Sequence, residues 1–142
     1  MQLTLIFCNQ QVTKALQLLL IDDDLDDQEI FCMALESIDK TIRCTTVNDG
    51  VNALQALQSD QSLKPDFIFI DINMPRMNGI DCLRQIKELG IANGAKMIMY
   101  STTSDPKMIE LSIQLGASDF MIKPSSLTHL QEKLVQKLGY TK

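Results

Sequence analysis

The chain has 142 residues, of which 45% are hydrophobic and 22% are charged, and its formal net charge is -5 at pH 7. This length predicts one globular domain with a hydrophobic core and leaves no room for a second domain of ordinary size. The negative charge argues against direct binding of nucleic acid, which needs a cationic surface.

The opening residues, MQLTLIFCNQQVTKA, contain an apolar burst, but they lack a cationic start and have too few apolar residues for a membrane span. We therefore assign residues 1–15 to an N-terminal extension, which is an extra strand, a disordered leader or a misassigned start. The domain is assigned to residues 16–142, and no membrane association is expected. The cysteines are spread without a Cys-x-x-Cys pair, which indicates reduced thiols in a cytoplasmic protein.

Short apolar runs alternate with helical patterns along the domain. The runs predict strands at residues 18–21, 41–47, 67–70, 97–100 and 120–122. Apolar residues at helical spacing follow each run. Candidate caps for three of these helices are Asp26 or Asp27, Ser104 or Asp105, and Ser125 or Ser126.

This repeated strand–helix unit predicts a doubly wound α/β domain with a parallel sheet. Parallel strands need crossover connections, and strands that are apolar throughout need helices on both faces of the sheet. Right-handed crossovers place the carboxyl ends of all the strands at one edge, where ligands bind. A functional site is therefore expected at that edge.

Polar residues follow four of the five predicted strands. In chain order they are Asp22-Asp23-Asp24, Asp71, Ser101-Thr102 and Lys123-Pro124. The remaining strand ends in Val47-Asn48-Asp49, which is typical of a turn and a helix cap. Any one of these polar groups is common at a helix start, but four at one edge predict a site.

The acidic residues at this edge predict a metal ion. If the first and third strands are neighbours, their carboxylates converge, and like charges about 4 Å apart repel by several kcal/mol at an effective dielectric near 20. Oxygen ligands without His or Cys favour Mg²⁺, and the stretch DDDLDDQEI lacks the Gly and the final Glu of a calcium-binding loop. Lys123 adds a second positive charge. A magnesium ion, a lysine and a hydroxyl around one carboxylate predict phosphoryl transfer, and Asp71 is best placed to accept the group.

These residues resemble response regulator receiver domains, especially the single-domain chemotaxis and phytochrome-associated members. The resemblance covers roughly residues 16–139 and rests on LLLIDDD, FIFIDINMPRMNG, MIMYSTTS and GASDFMIKPSS, in that order. Its most specific part is D-x-x-M-P-x-M-x-G, followed about fifty residues later by Lys-Pro after a short strand. It implies a flavodoxin-like (βα)5 sheet with strand order 2-1-3-4-5 and a receiver domain over residues 16–142.

The resemblance implies a phosphorylation site at the strand edge, with Asp71 as the phosphoacceptor. The Mg²⁺ ligands would be Asp22, Asp23, Asp71 and the main-chain carbonyl of Asn73. Lys123 and Ser101 would contact the phosphoryl group, and the peptide bond from Lys123 to Pro124 would be cis. Ser101 stands where Thr is commoner, which keeps the hydroxyl donor and loses the stiffness of a β-branched side chain.

The resemblance also implies a conformational switch. Ser101 would move toward the phosphoryl group, and Phe120, where many members carry Tyr, would rotate from exposed to buried. The signal would leave through helix four, strand five and helix five, while Asn73 and Thr103 would tune dephosphorylation. Asp24 is expected in a loop, either touching a metal-bound water or solvated.

The partners implied are a sensor histidine kinase or a histidine phosphotransfer protein, together with a downstream protein target. A phosphorylation-dependent homodimer is left open. The domain is expected to catalyse only its own phosphorylation and dephosphorylation and is otherwise not an enzyme.

Three other interpretations share part of this pattern. A haloacid dehalogenase-type enzyme also phosphorylates an Asp after an apolar strand, but it needs a second Asp where this chain has Asn73. A flavodoxin-like cofactor binder needs a phosphate loop rich in Gly and hydroxyl groups where this chain has three acids. A degenerate receiver that serves as a constitutive docking module would keep the fold without phosphorylation.

Overall fold

The computed structural model describes residues 15–102 and 105–140. Five strands alternate with five helices in this part of the chain. The strands are β1 (Gln17–Ile21), β2 (Arg43–Val47), β3 (Phe67–Ile70), β4 (Lys96–Ser101) and β5 (Asp119–Ile122). The helices are α1 (Leu25–Ile38), α2 (Gly50–Ser59), α3 (Gly79–Leu89), α4 (Pro106–Gln114) and α5 (Leu127–Leu138). Residues 1–14 of the expected extension and Thr103 lie outside the described residues.

The strands form one parallel sheet in the order β2-β1-β3-β4-β5, which confirms the predicted fold class and strand order. Ile21 at the end of β1 pairs in register with Ile70 at the end of β3. The residues that follow these two strands, Asp22 and Asp71, therefore begin side by side at the carboxyl edge of the sheet.

A hydrophobic core lies on each face of the sheet, which explains why residues 18–21 of β1 and all of β3 are apolar. Leu19 and Ile21 pack with residues of α2 and α3 on one face. Leu18 and Leu20 pack with residues of α1 and α5 on the other face. Phe31 of α1 is fully buried there, with its ring centroid 5.0 Å from that of Phe69. Burial of such a side chain contributes about 1.5–3 kcal/mol, so the two helix layers fix the sheet that positions the strand ends.

Polar side chains cap the helices, and the structure shows which of the candidate capping residues are used. Asp105 caps α4, as one of the two expected candidates, and Asp49 caps α2 as expected. The expected cap of α1 was wrong, because Asp24 accepts hydrogen bonds from the main-chain N–H groups of Asp26 and Asp27. Asp24 therefore caps α1, a role that was not expected for it from the sequence.

Ser126 caps α5 by accepting a hydrogen bond from the His129 N–H at 3.2 Å. Replacing Ser126 with alanine is expected to lower the free energy of unfolding by about 1 kcal/mol, because that donor loses its acceptor. Ser125→Ala is the matched control, since Ser125 is exposed and does not cap the helix. Urea unfolding followed by circular dichroism measures both variants, and equal losses would contradict the assignment of the cap.

The described residues contain no cis peptide bond, so the expected cis bond from Lys123 to Pro124 is wrong and the bond is trans, as most bonds to proline are. Cys32, Cys44 and Cys82 are free thiols, and Cys8 lies outside the described residues. No helix in the described part of the chain has the length and apolar character needed to cross a membrane.

Candidate functional site

Three carboxylates meet at the carboxyl edge of the sheet. Oxygen atoms of Asp22, Asp23 and Asp71 lie within 4.8 Å of one another, and among the described residues this is the one group of three or more potential metal ligands. Asp22 and Asp71 are buried, while Asp23 is exposed. The sequence correctly predicted that these carboxylates converge. An oxygen-only donor set that is partly open to solvent fits a hard divalent cation.

Main-chain hydrogen bonds hold the two buried carboxylates in place. The Asp71 N–H donates to the Ile21 carbonyl at 2.9 Å, and the Asp22 N–H donates to the Val47 carbonyl at 3.1 Å. The Asp71 carboxylate itself accepts a hydrogen bond from the Asn73 N–H at 3.2 Å. The carboxylates therefore extend from the rigid ends of paired strands rather than from independent loops.

Lys123 reaches the same site from the end of β5. Its Nζ lies 2.9 Å from Asp22, 2.7 Å from Asp27 and 3.4 Å from Asp71, and 10% of its side chain is exposed. The amine also lies 5.2 Å from the ring centroid of Tyr100, a favourable cation–π contact. The predicted convergence of Lys123 with Asp22 and Asp71 is thus observed, whereas its contact with Asp27 was not foreseen.

The buried charges change the acid–base properties of the site. Burial raises the pKa of Asp71 to about 6, against the opposing effect of the Lys123 charge and with a further increase from Asp22. Burial also works against the charge of Lys123, but its hydrogen bonds with Asp27 and Asp22 outweigh this and raise its pKa. At pH 7 most Asp71 side chains are therefore ionised, and the lysine beside them is positively charged.

Ser101 and Phe120 occupy neighbouring strands at the same edge. Ser101 is the last residue of β4 and is fully buried, and its carbonyl accepts a hydrogen bond from the Lys123 N–H at 2.8 Å. Phe120 lies in β5, paired in register with Met99. It is partly buried against the core cluster, and its rotation on phosphorylation stays a prediction. Packing against this apolar cluster removes much of its ring from water.

Two loops beside the site are tied together by an ion pair that the sequence did not reveal. Arg76, in the loop after β3, contacts the carboxylate of Asp49, which is buried at the start of α2. Arg76 has a φ of 66°, a backbone conformation that residues other than glycine seldom adopt. The cap predicted at Asp49 therefore also anchors the loop that follows the phosphoacceptor candidate.

Gln28 fixes the loop between β1 and α1. Its side-chain amide donates to the Asp22 carbonyl at 2.6 Å and to the Asn48 side chain at 2.8 Å. The sequence DDDLDDQEI did not predict these hydrogen bonds of Gln28, because they depend on how the ends of β1 and β2 are placed in the fold.

The fold and site together define a parallel α/β domain that gathers three carboxylates and a lysine at the crevice where the strand order reverses. The family model for the response regulator receiver domain matches residues 18–135, and the chain belongs to this family.

Curated relatives agree with this assignment. The chain is 33% identical over 110 residues to the chemotaxis protein CheY of Thermotoga maritima, covering 78% of this chain and 90% of that protein. It is 32% identical over 119 residues to CheY of Listeria monocytogenes, covering 84% and 95%. The two-component response regulator ORR3 of Oryza sativa is 31% identical over 122 residues, covering 84% and 90%.

Solved structures share the fold. The phosphorylated cyanobacterial phytochrome response regulator RcpA superposes with a TM-score of 0.80 at 21% identity, covering 91% of this chain and 98% of that chain. The Mn²⁺-bound form of the response regulator Rcp1 gives a TM-score of 0.76 at 19% identity, covering 89% and 96%.

Proposed function

We propose that this protein is a phosphorylation-activated switch of a two-component phosphorelay and that Asp71 is its phosphoacceptor. The observation that carries the proposal is the position of Asp71, buried between a carboxylate pair and the Lys123 amine at 3.4 Å. A nucleophilic carboxylate needs an ionised oxygen and a cationic partner for the transferred phosphoryl oxygens, and this site supplies both.

In the proposed reaction an Asp71 oxygen attacks the phosphorus of a phosphohistidine. The new P–O bond forms as the P–N bond breaks, and the departing imidazole nitrogen takes up a proton from solvent water. Lys123 and the hydroxyl of Ser101 would donate hydrogen bonds to the phosphoryl oxygens. Since phosphoryl transfer depends mostly on positioning and charge neutralisation, these residues need no covalent chemistry of their own.

The donor set fits Mg²⁺, which would neutralise charge on the phosphoryl oxygens when bound. Asp22, Asp23 and Asp71 would hold it through carboxylate oxygens, and Asn73 through its main-chain carbonyl. Asn73 and Thr103 are proposed to influence the rate of dephosphorylation. Asn73 is exposed two residues beyond Asp71, and its N–H donates a hydrogen bond to the Asp71 carboxylate at 3.2 Å.

The switch is proposed to work by shifting the population of two conformations. Moving from about 1:99 to 99:1 needs roughly 5.5 kcal/mol of differential interaction, and charge-assisted hydrogen bonds supply about 1.5–3 kcal/mol each. Two such bonds from Ser101 and Lys123 to the phosphoryl group supply about 3–6 kcal/mol and three supply about 4.5–9 kcal/mol, so the requirement is met in the upper part of this range. The change would be passed to Phe120 and to the surface formed by α4, β5 and α5.

The proposed upstream partner is a sensor histidine kinase or a histidine phosphotransfer protein, and the downstream partner is a protein that recognises the α4, β5 and α5 surface. A homodimer formed on phosphorylation is one form that this recognition could take. The only chemistry assigned to the chain is transfer of the phosphoryl group to and from itself.

Incubation of the protein with Mg²⁺ and acetyl phosphate is expected to add one phosphoryl group, detected by intact-protein mass spectrometry and assigned to Asp71 by peptide mapping after borohydride reduction. Beryllofluoride is expected to bind to the same carboxylate without covalent transfer. Asp71→Asn should abolish both reactions, whereas Asp81→Asn, at a surface position on α3, should retain them.

A wild-type protein that forms no adduct with saturating reagent would refute the phosphoacceptor proposal. It would leave the alternative of a receiver domain that acts only as a docking module.

A further inference from the structure

Lys123 is shared among three carboxylates, and the shortest contact is with Asp27, which is outside the carboxylate group around Asp71. Its Nζ lies 2.7 Å from Asp27, compared with 2.9 Å from Asp22 and 3.4 Å from Asp71. An ammonium group has three protons to donate. All three are therefore directed to carboxylates before any phosphoryl group is present.

We propose that Asp27 is a positioning residue that restrains Lys123 and slows the phosphorylation of Asp71. This inference rests on the proposed function, because it concerns the lysine that would neutralise the transferred group. Asp27 does not touch the reacting atoms and acts through the amine alone.

The restraint follows from competition for one cation. A phosphoryl group on Asp71 adds anionic oxygens that need the Lys123 amine, yet this amine already makes its closest hydrogen bond to Asp27. The amine must lengthen that bond to move toward Asp71. Asp22 differs from Asp27 because its side chain is fully buried, so water cannot solvate its carboxylate if the amine leaves it.

The position of Asp27 makes the restraint releasable. Its side chain is 34% exposed, so the carboxylate can be solvated when the lysine leaves it. Its backbone is fixed in the first turn of α1, where its N–H donates to Asp24. The Tyr100 ring centroid lies 5.2 Å from the amine and adds a favourable cation–π contact.

Asp27→Asn is the decisive variant, and Asp26→Asn is its matched control. Asp26 lies in the same turn, also donates its N–H to Asp24 and is exposed, but it is not among the carboxylates that Lys123 contacts. The two variants remove the same formal charge and disturb the same helix start. Asp27→Glu preserves the carboxylate and tests whether the contact itself is responsible.

The experiment measures the rate of adduct formation on Asp71 against acetyl phosphate concentration at saturating Mg²⁺. We expect Asp27→Asn to raise the limiting rate about threefold to tenfold, the range for losing one partly exposed charge-assisted contact. Asp26→Asn should change only the dependence on donor concentration, since a distant charge affects the encounter with an anion. Asp27→Glu should restore a rate near that of the wild type.

The outcomes separate this inference from the proposed function. A limiting rate for Asp27→Asn that is equal to that of Asp26→Asn, or below that of the wild type, would overturn the restraint while leaving Asp71 as the phosphoacceptor. A wild-type protein that forms no adduct would overturn the proposed function, and the inference with it. A faster Asp27→Asn together with an unchanged Asp26→Asn limiting rate would support the restraint.

Discussion

Without metal, the Asp71→Asn variant is expected to be more stable than the wild type at pH 7 by roughly 1–3 kcal/mol. Burial raises the pKa of Asp71 to about 6, which means that its ionised form is less favourable in the folded protein than in the unfolded chain. Asparagine has nearly the same shape and carries no charge. The variant loses one contact with Lys123, but the amine keeps Asp22 and Asp27.

The pH dependence of this stability difference has a defined sign. Between the unfolded pKa of 3.8 and the folded pKa of about 6, the folded protein binds the proton more strongly than the unfolded chain does. The wild type therefore loses stability relative to Asp71→Asn as the pH rises through this window, and the difference is complete above it.

Urea unfolding at pH 4, 5 and 7 in the presence of EDTA measures this effect. Asp81→Asn, which removes one negative charge from the surface of α3, serves as the control. Equal stability of Asp71→Asn and the wild type at pH 7 would show that Lys123 fully compensates the buried carboxylate. The expected result identifies Asp71 as a residue retained at a cost in stability, which is common for groups that carry function.

Gly79→Ala is expected to destabilise the protein by more than about 2 kcal/mol and to slow phosphorylation of Asp71. A Cβ at position 79 would lie 2.1 Å from the Asp71 carbonyl oxygen and 2.8 Å from the Ile72 Cα. Both are main-chain atoms, so the clash is relieved only by moving the backbone that carries Asp71, the proposed phosphoacceptor. The Gly79 N–H also donates to the Ile72 carbonyl at 2.8 Å, which holds the two segments together.

Gly94→Ala is the matched control for this prediction. A Cβ at position 94 would have no heavy atom within 4 Å, so the variant should have nearly wild-type stability or gain slightly from a less flexible unfolded chain. Urea unfolding and the acetyl phosphate assay are applied to both variants. Gly79→Ala with the stability and phosphorylation rate of Gly94→Ala would contradict the importance of this close approach.

The fold was predictable because its signals are local. The runs at residues 18–21 and 67–70 are apolar at every position, as expected for strands buried on both faces. The convergence of Asp22 and Asp71 was predictable as well, since each directly follows such a strand and parallel strands end at one edge. Lys123 followed from the same rule applied to β5.

The contacts that sequence reasoning missed are those set by tertiary placement. Asp27 forms an ion pair with Lys123, which is 96 residues away in the sequence, and its position in a first helical turn suggested only a helix cap. Arg76 and Asp49 lie in separate loops, so nothing local joins them. The choice between Ser125 and Ser126 depended on the turn into α5, and two adjacent serines give no basis for deciding between them.

The hydrogen bond from the Lys123 N–H to the Ser101 carbonyl joins the two residues that are proposed to hold the phosphoryl group. The proposed phosphorylation site and β5, which belongs to the proposed output surface, are thus adjacent. Ile122, the last residue of β5, is exposed. In the mechanism that we propose, information travels the width of a single strand. A partner bound to β5 would then respond to phosphorylation of Asp71 through only one intervening strand, without a longer chain of contacts.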